Sequence, residues 1–194
     1  MALFSGDADD AVHAGIAMLH KLAEYNQDRQ QSGYLPIRIG IGITVGGPGR
    51  MDGTVISDAV NLASRIEGMT KIYGATLLIT EHTYSRLRNV SHYALREIDK
   101  VKVIGKAQAV TVYEEFDGEA PERIALKRQT LTLFKQGLVH YRSQEFVAAI
   151  STFQQVLQQD AADQAAQLYL KRSEYFQQHG VIDGWEGIVA LDSK

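Results

Sequence analysis

Residues 37–45, IRIGIGITV, constrain the fold more than any other stretch. Strict alternation puts Ile37, Ile39, Ile41 and Ile43 on one face of a strand, and Arg38, Gly40 and Gly42 on the other. A strand face without side chains invites another backbone to approach closely. The turn composition GGPGRMDG follows, and then the period changes to that of a helix. An alternating strand, a short turn and a helix together predict an α+β chain with helices packed on a sheet.

That helix, beginning at GTVISDAVNLASRIEG, has an apolar stripe of Ala59, Leu62, Ala63, Ile66 and Met69. Gly74 suits its C-terminal cap. A second stripe, Asp58, Asn61 and Arg65, is polar and aligned. One reading of it is a solvated face, in which an i,i+4 pair contributes a few tenths of a kcal/mol. The other takes note of the small neighbours Ala63 and Ser64, of Thr54 near the helix start, and of the glycine-faced strand just before. Strand and helix start then share a crevice, and the planar donor fork of Arg65 beside Asn61 suits phosphate and ribose oxygens.

Elsewhere, residues 9–29 read as a helix carrying Val12, Ile16, Leu19, Leu22 and Ala23 on one face. ATLLIT reads as a buried strand, EHTYSRLR as a short helix, and HYALREI, VKVIG and AVTVYEEF as three β segments. DGEAPER has linker composition. After it come helices rich in Gln and Ala. There Gly137, Tyr141, Phe146, Ala149, Ile150, Phe153 and Leu157 fall where a tetratricopeptide repeat places its packing residues. One and a half such repeats bury no continuous core alone, so they must pack on the first domain, on a protein partner, or on both. The tail DGWEGIVALDSK is expected to dock in extended form through Trp185, Ile188 and Leu191.

The segments IRIGIGI, RMDGTVISDAVNLASRIEGMTKIYGATLLIT and LREIDKVKVIGKAQAVTVYE, in that order, resemble the class III nucleotidyl cyclase catalytic domain of adenylate and guanylate cyclases. VNLASR and the Gly-Lys pair of VIGKAQ are the most specific landmarks. The resemblance covers residues 1–116, the last two-thirds of such a domain, and implies an incomplete ferredoxin-like cyclase fold (an α/β sandwich). A linker at 117–124, tetratricopeptide-like helices at 125–179 and an extended tail at 180–194 follow. The family acts as a dimer with composite sites between two chains. By position, Asn61 orients the ribose, Arg65 stabilises charge on the α-phosphate, Lys106 contacts the triphosphate, and Thr54 occupies the base-selecting position typical of adenine-specific members. Asp58 suits either the nucleotide or the helix dipole. The implied substrate is ATP, with Mg²⁺ or Mn²⁺ as cofactor.

The resemblance has two departures. In the family one metal aspartate lies well upstream, and the other follows a glycine just before a segment like MALF, where this sequence starts. Gly6-Asp7 comes after that segment and cannot replace it. The metal ligands are therefore expected to be absent from this chain, which is expected to be inactive alone. It is then either a fragment of an adenylate cyclase or a half-site or dimerisation module; an interaction module built on the helices is the remaining alternative. Secondly, TVGGPG in residues 44–50 shortens a hairpin that is longer in the family.

Composition narrows the field further. No cysteine is present, which removes disulfides and thiolate metal sites. Net charge is −3 with no basic patch, which argues against nucleic acid as a partner. No apolar run approaches the ~20 residues of a membrane span. A cytoplasmic protein is expected. His13, His20, His82, His92, His140 and His179 do not pair with carboxylates at metal spacing, and GGPGRMDGT lacks the Gly-Lys-Ser/Thr of a P-loop.

Overall fold

Asp7 opens the first helix with a reciprocal cap: its Oδ1 accepts the Asp10 N–H at 3.0 Å, while its own N–H donates to Asp10 Oδ2 at 3.3 Å. The computed structural model describes residues 7–45, 53–102 and 109–190, with backbone alone for 53–58 and 189–190. Along the chain run α1 (Ala8–Gln31), β1 (Ile41–Ile43), α2 (Gly53–Tyr73), β2 (Leu77–Thr80), α3 (Glu81–Tyr84), β3 (Leu95–Lys102) and β4 (Ala109–Glu115). Then come α4 (Pro121–Arg142), α5 (Phe146–Gln159), α6 (Gln164–His179) and β5 (Val189–Ala190). The result is a mixed α+β fold.

The sheet order is β1-β2-β4-β3-β5, with β1 parallel to β2, β4 antiparallel to both β2 and β3, and β5 parallel to β3. Its two faces carry different helices. Val12 and Leu19 of α1 pack with Leu77 and Ile79 on one face. Leu62, Ile66, Met69 and Tyr73 of α2 share the other with Ile98, Val112 and the aromatic residues of α4–α6.

The alternating strand is shorter than its pattern predicts. The ladder holds only residues 41–43, because the backbone before it is held by α1 side chains in place of a neighbouring strand. The Asn26 amide brackets Ile37, donating to its carbonyl at 2.8 Å and accepting its N–H at 2.7 Å, and Arg29 donates to the Leu35 carbonyl. Ile37 and Ile39 stay exposed. The glycine face does bring a helix close. A Cβ on Gly42 would lie 2.5 Å from the Ala63 carbonyl oxygen and the Glu67 nitrogen, and one on Gly40 would strike Thr70.

Two of the three expected β segments merge into β3. Between Glu97 and Asp99 the register slips by one residue, so that Glu97 faces Tyr113 and Asp99 faces Val112. This bulge resets the alternation: Arg96 and Ile98 are buried before it, Asp99 and Val101 after it, and Lys100 and Lys102 are exposed. The expected helix over EHTYSRLR is also shorter. It is a single turn, α3, capped by Thr80 and followed by a 3-10 turn at Val90–His92.

Helices α4, α5 and α6 close over an aromatic cluster. Tyr141 meets Phe146, Tyr169 and Trp185 at ring distances of 6.1, 5.0 and 5.2 Å, and Gly137 lets the Phe153 ring lie against α4. Of the positions that suggested a repeat, Tyr141, Ala149 and Phe153 are buried in these contacts. A buried ionic chain fixes the helices to the sheet. Arg96 pairs with Glu114 and with both oxygens of Asp163, while Lys127 reaches Glu114 at 2.7 Å and Glu119 at 2.6 Å. Residues 189–190 extend the sheet along β3, and Trp185 anchors the segment before them; Leu191 lies outside the described residues.

Candidate functional site

Helix α2 places the candidate residues Asn61 and Arg65, and its packing fixes which way they turn. Leu62, Ile66 and Met69 are buried against the sheet, and the glycine face of β1 supports the turn from Ala63 to Glu67. Asn61 is then exposed, and Arg65, one turn further on, is half-buried at the edge of that contact. The Arg65 Nη1 is buried and has no hydrogen-bond partner among the described residues. Leaving a buried donor of a charged group without an acceptor is costly.

The other candidates are not placed. Lys106 lies outside the described residues, and so do the side chains of Thr54 and Asp58 on the first turns of α2. Most of the shortened hairpin, from residue 46 on, falls there too. Asp7, excluded above as a metal ligand, caps α1 and pairs with Arg88. Among the described residues no group of three or more His, Asp or Glu side chains converges to hold a metal ion. No helix among the described residues is long and apolar enough to cross a membrane.

Two cavities lie away from α2's polar stripe. One of about 350 Å³ lies between Tyr84, Tyr93, Tyr113, Leu131 and Lys135. Another of about 320 Å³ lies between Thr76, Glu119, Arg123 and Gln164. Neither is lined by Asn61 or Arg65.

At its far end α2 enters a polar cluster that the sequence pattern does not reveal. The Tyr73 hydroxyl donates to Asp99 of β3, Arg172 of α6 donates to the same carboxylate at 3.3 Å, and Tyr169 donates to the Ile98 carbonyl at 2.9 Å. Burial, and then the Asp99 charge, push the Tyr73 phenol above its usual range. By its local pattern Asp99 belongs to a join between two strands. The sign that it is not a join lies in Val101, whose burial needs the ladder to continue.

The chain is 47% identical over 128 residues to an adenylate cyclase of Anabaena cylindrica, a match covering 59% of this chain and 26% of that protein. It is 32% identical over 174 residues to the terminal-differentiation specific adenylate cyclase of Dictyostelium discoideum, covering 85% and 8%. Against adenylate cyclase 1 of Rhizobium meliloti the identity is 29% over 115 residues, covering 55% and 17%. These relatives support a cyclase family. The chain spans about a quarter or less of the length of the curated relatives it matches. No family model and no solved structure matches it. The Dictyostelium match covers too much of the chain to be contained in the sheet and its first helices, so it extends through α4 and α5.

Proposed function

We propose that the chain belongs to an adenylate cyclase-type unit of the class III fold, which converts ATP to 3′,5′-cyclic AMP and diphosphate. In this reading it supplies the nucleotide-gripping side of a composite site whose metal-binding aspartates come from a partner cyclase chain. The observation that carries it is the buried, unpartnered Nη1 of Arg65 one helical turn from Asn61, in a chain similar to three adenylate cyclases.

In the reaction the ribose 3′-oxygen bonds to the α-phosphorus, and the bond from that phosphorus to the diphosphate oxygen breaks. The hydroxyl proton passes to solvent or to the departing diphosphate. Negative charge shifts among the phosphate oxygens, so a fixed guanidinium at Arg65 stabilises the transition state more than the ground state. The Asn61 amide holds the ribose with its 3′-hydroxyl in line, Lys106 holds the triphosphate, and Thr54 accepts or donates at the adenine edge, with Asp58 beside it. By comparison with other phosphoryl transfers, the arginine contributes about 10³-fold or more in rate.

In this half-site reading the chain needs a partner for turnover. The test is complementation. The chain is mixed with an adenylate cyclase domain that retains its metal aspartates but has lost its own asparagine and arginine. Formation of cyclic AMP from ATP in the mixture supports the reading; a mixture as inactive as its separate components contradicts it.

A further inference from the structure

Helix α6 carries none of the candidate site residues, yet it is tied at three points to the strand β3 and at one to the helix that carries Arg65. Near its start, Asp163 caps α6 by accepting the Ala166 N–H at 3.1 Å and at the same time holds Arg96 of β3. Further along, Arg172 donates to Asp99, which is fully buried. The same guanidinium lies over the rings of Tyr73 at 5.9 Å and Tyr169 at 5.3 Å. Asp99 also accepts the Tyr73 hydroxyl from α2 and the Lys100 N–H at 2.7 Å. One carboxylate is thus the meeting point of α2, β3 and α6, and the β3 bulge is what aims it there.

We propose that Arg172 is a positioning residue: through Asp99 and Tyr73 it sets α2, and with it Asn61 and Arg65, against β3. What the clamp serves rests on the functional reading above; its existence as a mechanical link does not. Two features agree with this role. Tyr73 stands two turns beyond Arg65 on the same helix, so its anchorage limits sliding and rotation of that helix. Two residues after Asp99, Val101 and Lys102 pair with β5, so the C-terminal segment holds the same strand just before it leaves towards Lys106. A force or ligand acting on α4–α6 would reach the site by this route.

The test uses the whole chain with Arg172→Ala, and Tyr73→Phe as a milder second variant that keeps the ring and removes only the hydroxyl. Hydrogen exchange is read first. Both variants are expected to speed exchange of amides 62–73 and 97–101, about tenfold or more for Arg172→Ala, while α1 retains its rates. Unchanged exchange in α2, or an equal rise throughout the chain, would overturn the clamp. Turnover is read second, in the complementing mixture. Arg172→Ala is expected to lower kcat about tenfold with KM for ATP changed less than twofold, and Arg172→Lys to recover part of the loss. Faster α2 exchange with unchanged kcat would overturn the positioning role. If the unvaried chain restores no turnover, the functional reading fails, and the exchange data alone decide the clamp.

Discussion

Gly42 of β1 lies directly beneath Ala63 of α2: a Cβ added to the glycine would lie 2.5 Å from the Ala63 carbonyl oxygen and equally close to the Glu67 nitrogen. Both obstacles are backbone, so no side-chain rotation relieves the clash. Gly15 does the same on the opposite face, where a Cβ would lie 2.6 Å from Leu77 Cδ1, but there the obstacle is the end of a flexible side chain. The sheet is thus approached closely on both faces, by α2 over β1 and by α1 over β2, and the height of α2 above β1, and so the place of Arg65, is set by the missing methyl.

Gly42→Ala is therefore expected to destabilise the chain by about 1–3 kcal/mol, the usual cost of overpacking. Chemical denaturation measures it. Gly15→Ala should cost less, since Leu77 can turn away. Equal stability of Gly42→Ala and the unvaried chain would mean that α2 does not rest on the strand as described.

The buried ionic chain offers a second test. Asp163 has two tasks, capping α6 and neutralising Arg96, and both partners are buried. Burial alone would raise its pKa, but the Arg96 charge and hydrogen bonds outweigh it and hold the carboxyl below the usual range. A lowered folded pKa gives stability that is present above the unfolded value and lost as pH falls through the folded one. Asp163→Asn is expected to cost about 3–5 kcal/mol at neutral pH, since it leaves a buried cation under-compensated. The difference between variant and unvaried chain should shrink below pH 4, where the natural carboxyl also gains its proton. A pH-independent difference would assign the effect to the cap alone.

Glu115 should behave in the opposite way. It is fully buried, and burial, followed by its contact with Asp117, pushes its carboxyl up to about 9. Between the unfolded value and about 9, unfolding releases a proton, so rising pH erodes stability across that window. Every tenfold difference in proton affinity between the folded and unfolded chain is equivalent to about 1.4 kcal/mol. Glu115→Gln is thus expected to stabilise the chain by about 2–3 kcal/mol at pH 8 and to change little at pH 4, as read by thermal or denaturant unfolding. Parallel pH profiles would show that the carboxyl is ionised in the folded state.

How far these features could be read from the sequence depended on whether a residue's pattern and its partner lay close together. The bare face of Gly40 and Gly42, the apolar stripe of Leu62, Ile66 and Met69, and the cap at Gly74 are local, and the structure has them as read. Where tertiary partners decide, the pattern misled. Ile37 and Ile39 continue the alternation, yet Asn26 and Arg29 take backbone groups of that stretch and the ladder starts later. Arg96 and Glu114 look like solvent-facing strand residues. Their alternation with Ile98, Val112 and Phe116 puts them inside, where only Asp163 and Lys127, far along the chain, make burial tolerable. Of the candidate site, only the positions of Asn61 and Arg65 along α2 were legible, from helical spacing, whereas the Asp99 cluster required knowledge of a bulge that no local signal announced.

In the proposed half-site reading, in which the metal-binding aspartates belong to the partner, the chain by itself, incubated with ATP and Mn²⁺, is expected to form no cyclic AMP. Sustained turnover by the purified chain, abolished by a chelator, would show that it holds a metal after all.

The most direct measurement is turnover in the complementing mixture with Arg65 intact and with Arg65→Ala, each chain first shown to be folded. The account predicts that cyclic AMP formation falls about 10³-fold or more on losing the guanidinium. Equal rates from the two mixtures would contradict it, and Arg65 would then be an ordinary rim residue of a packed helix.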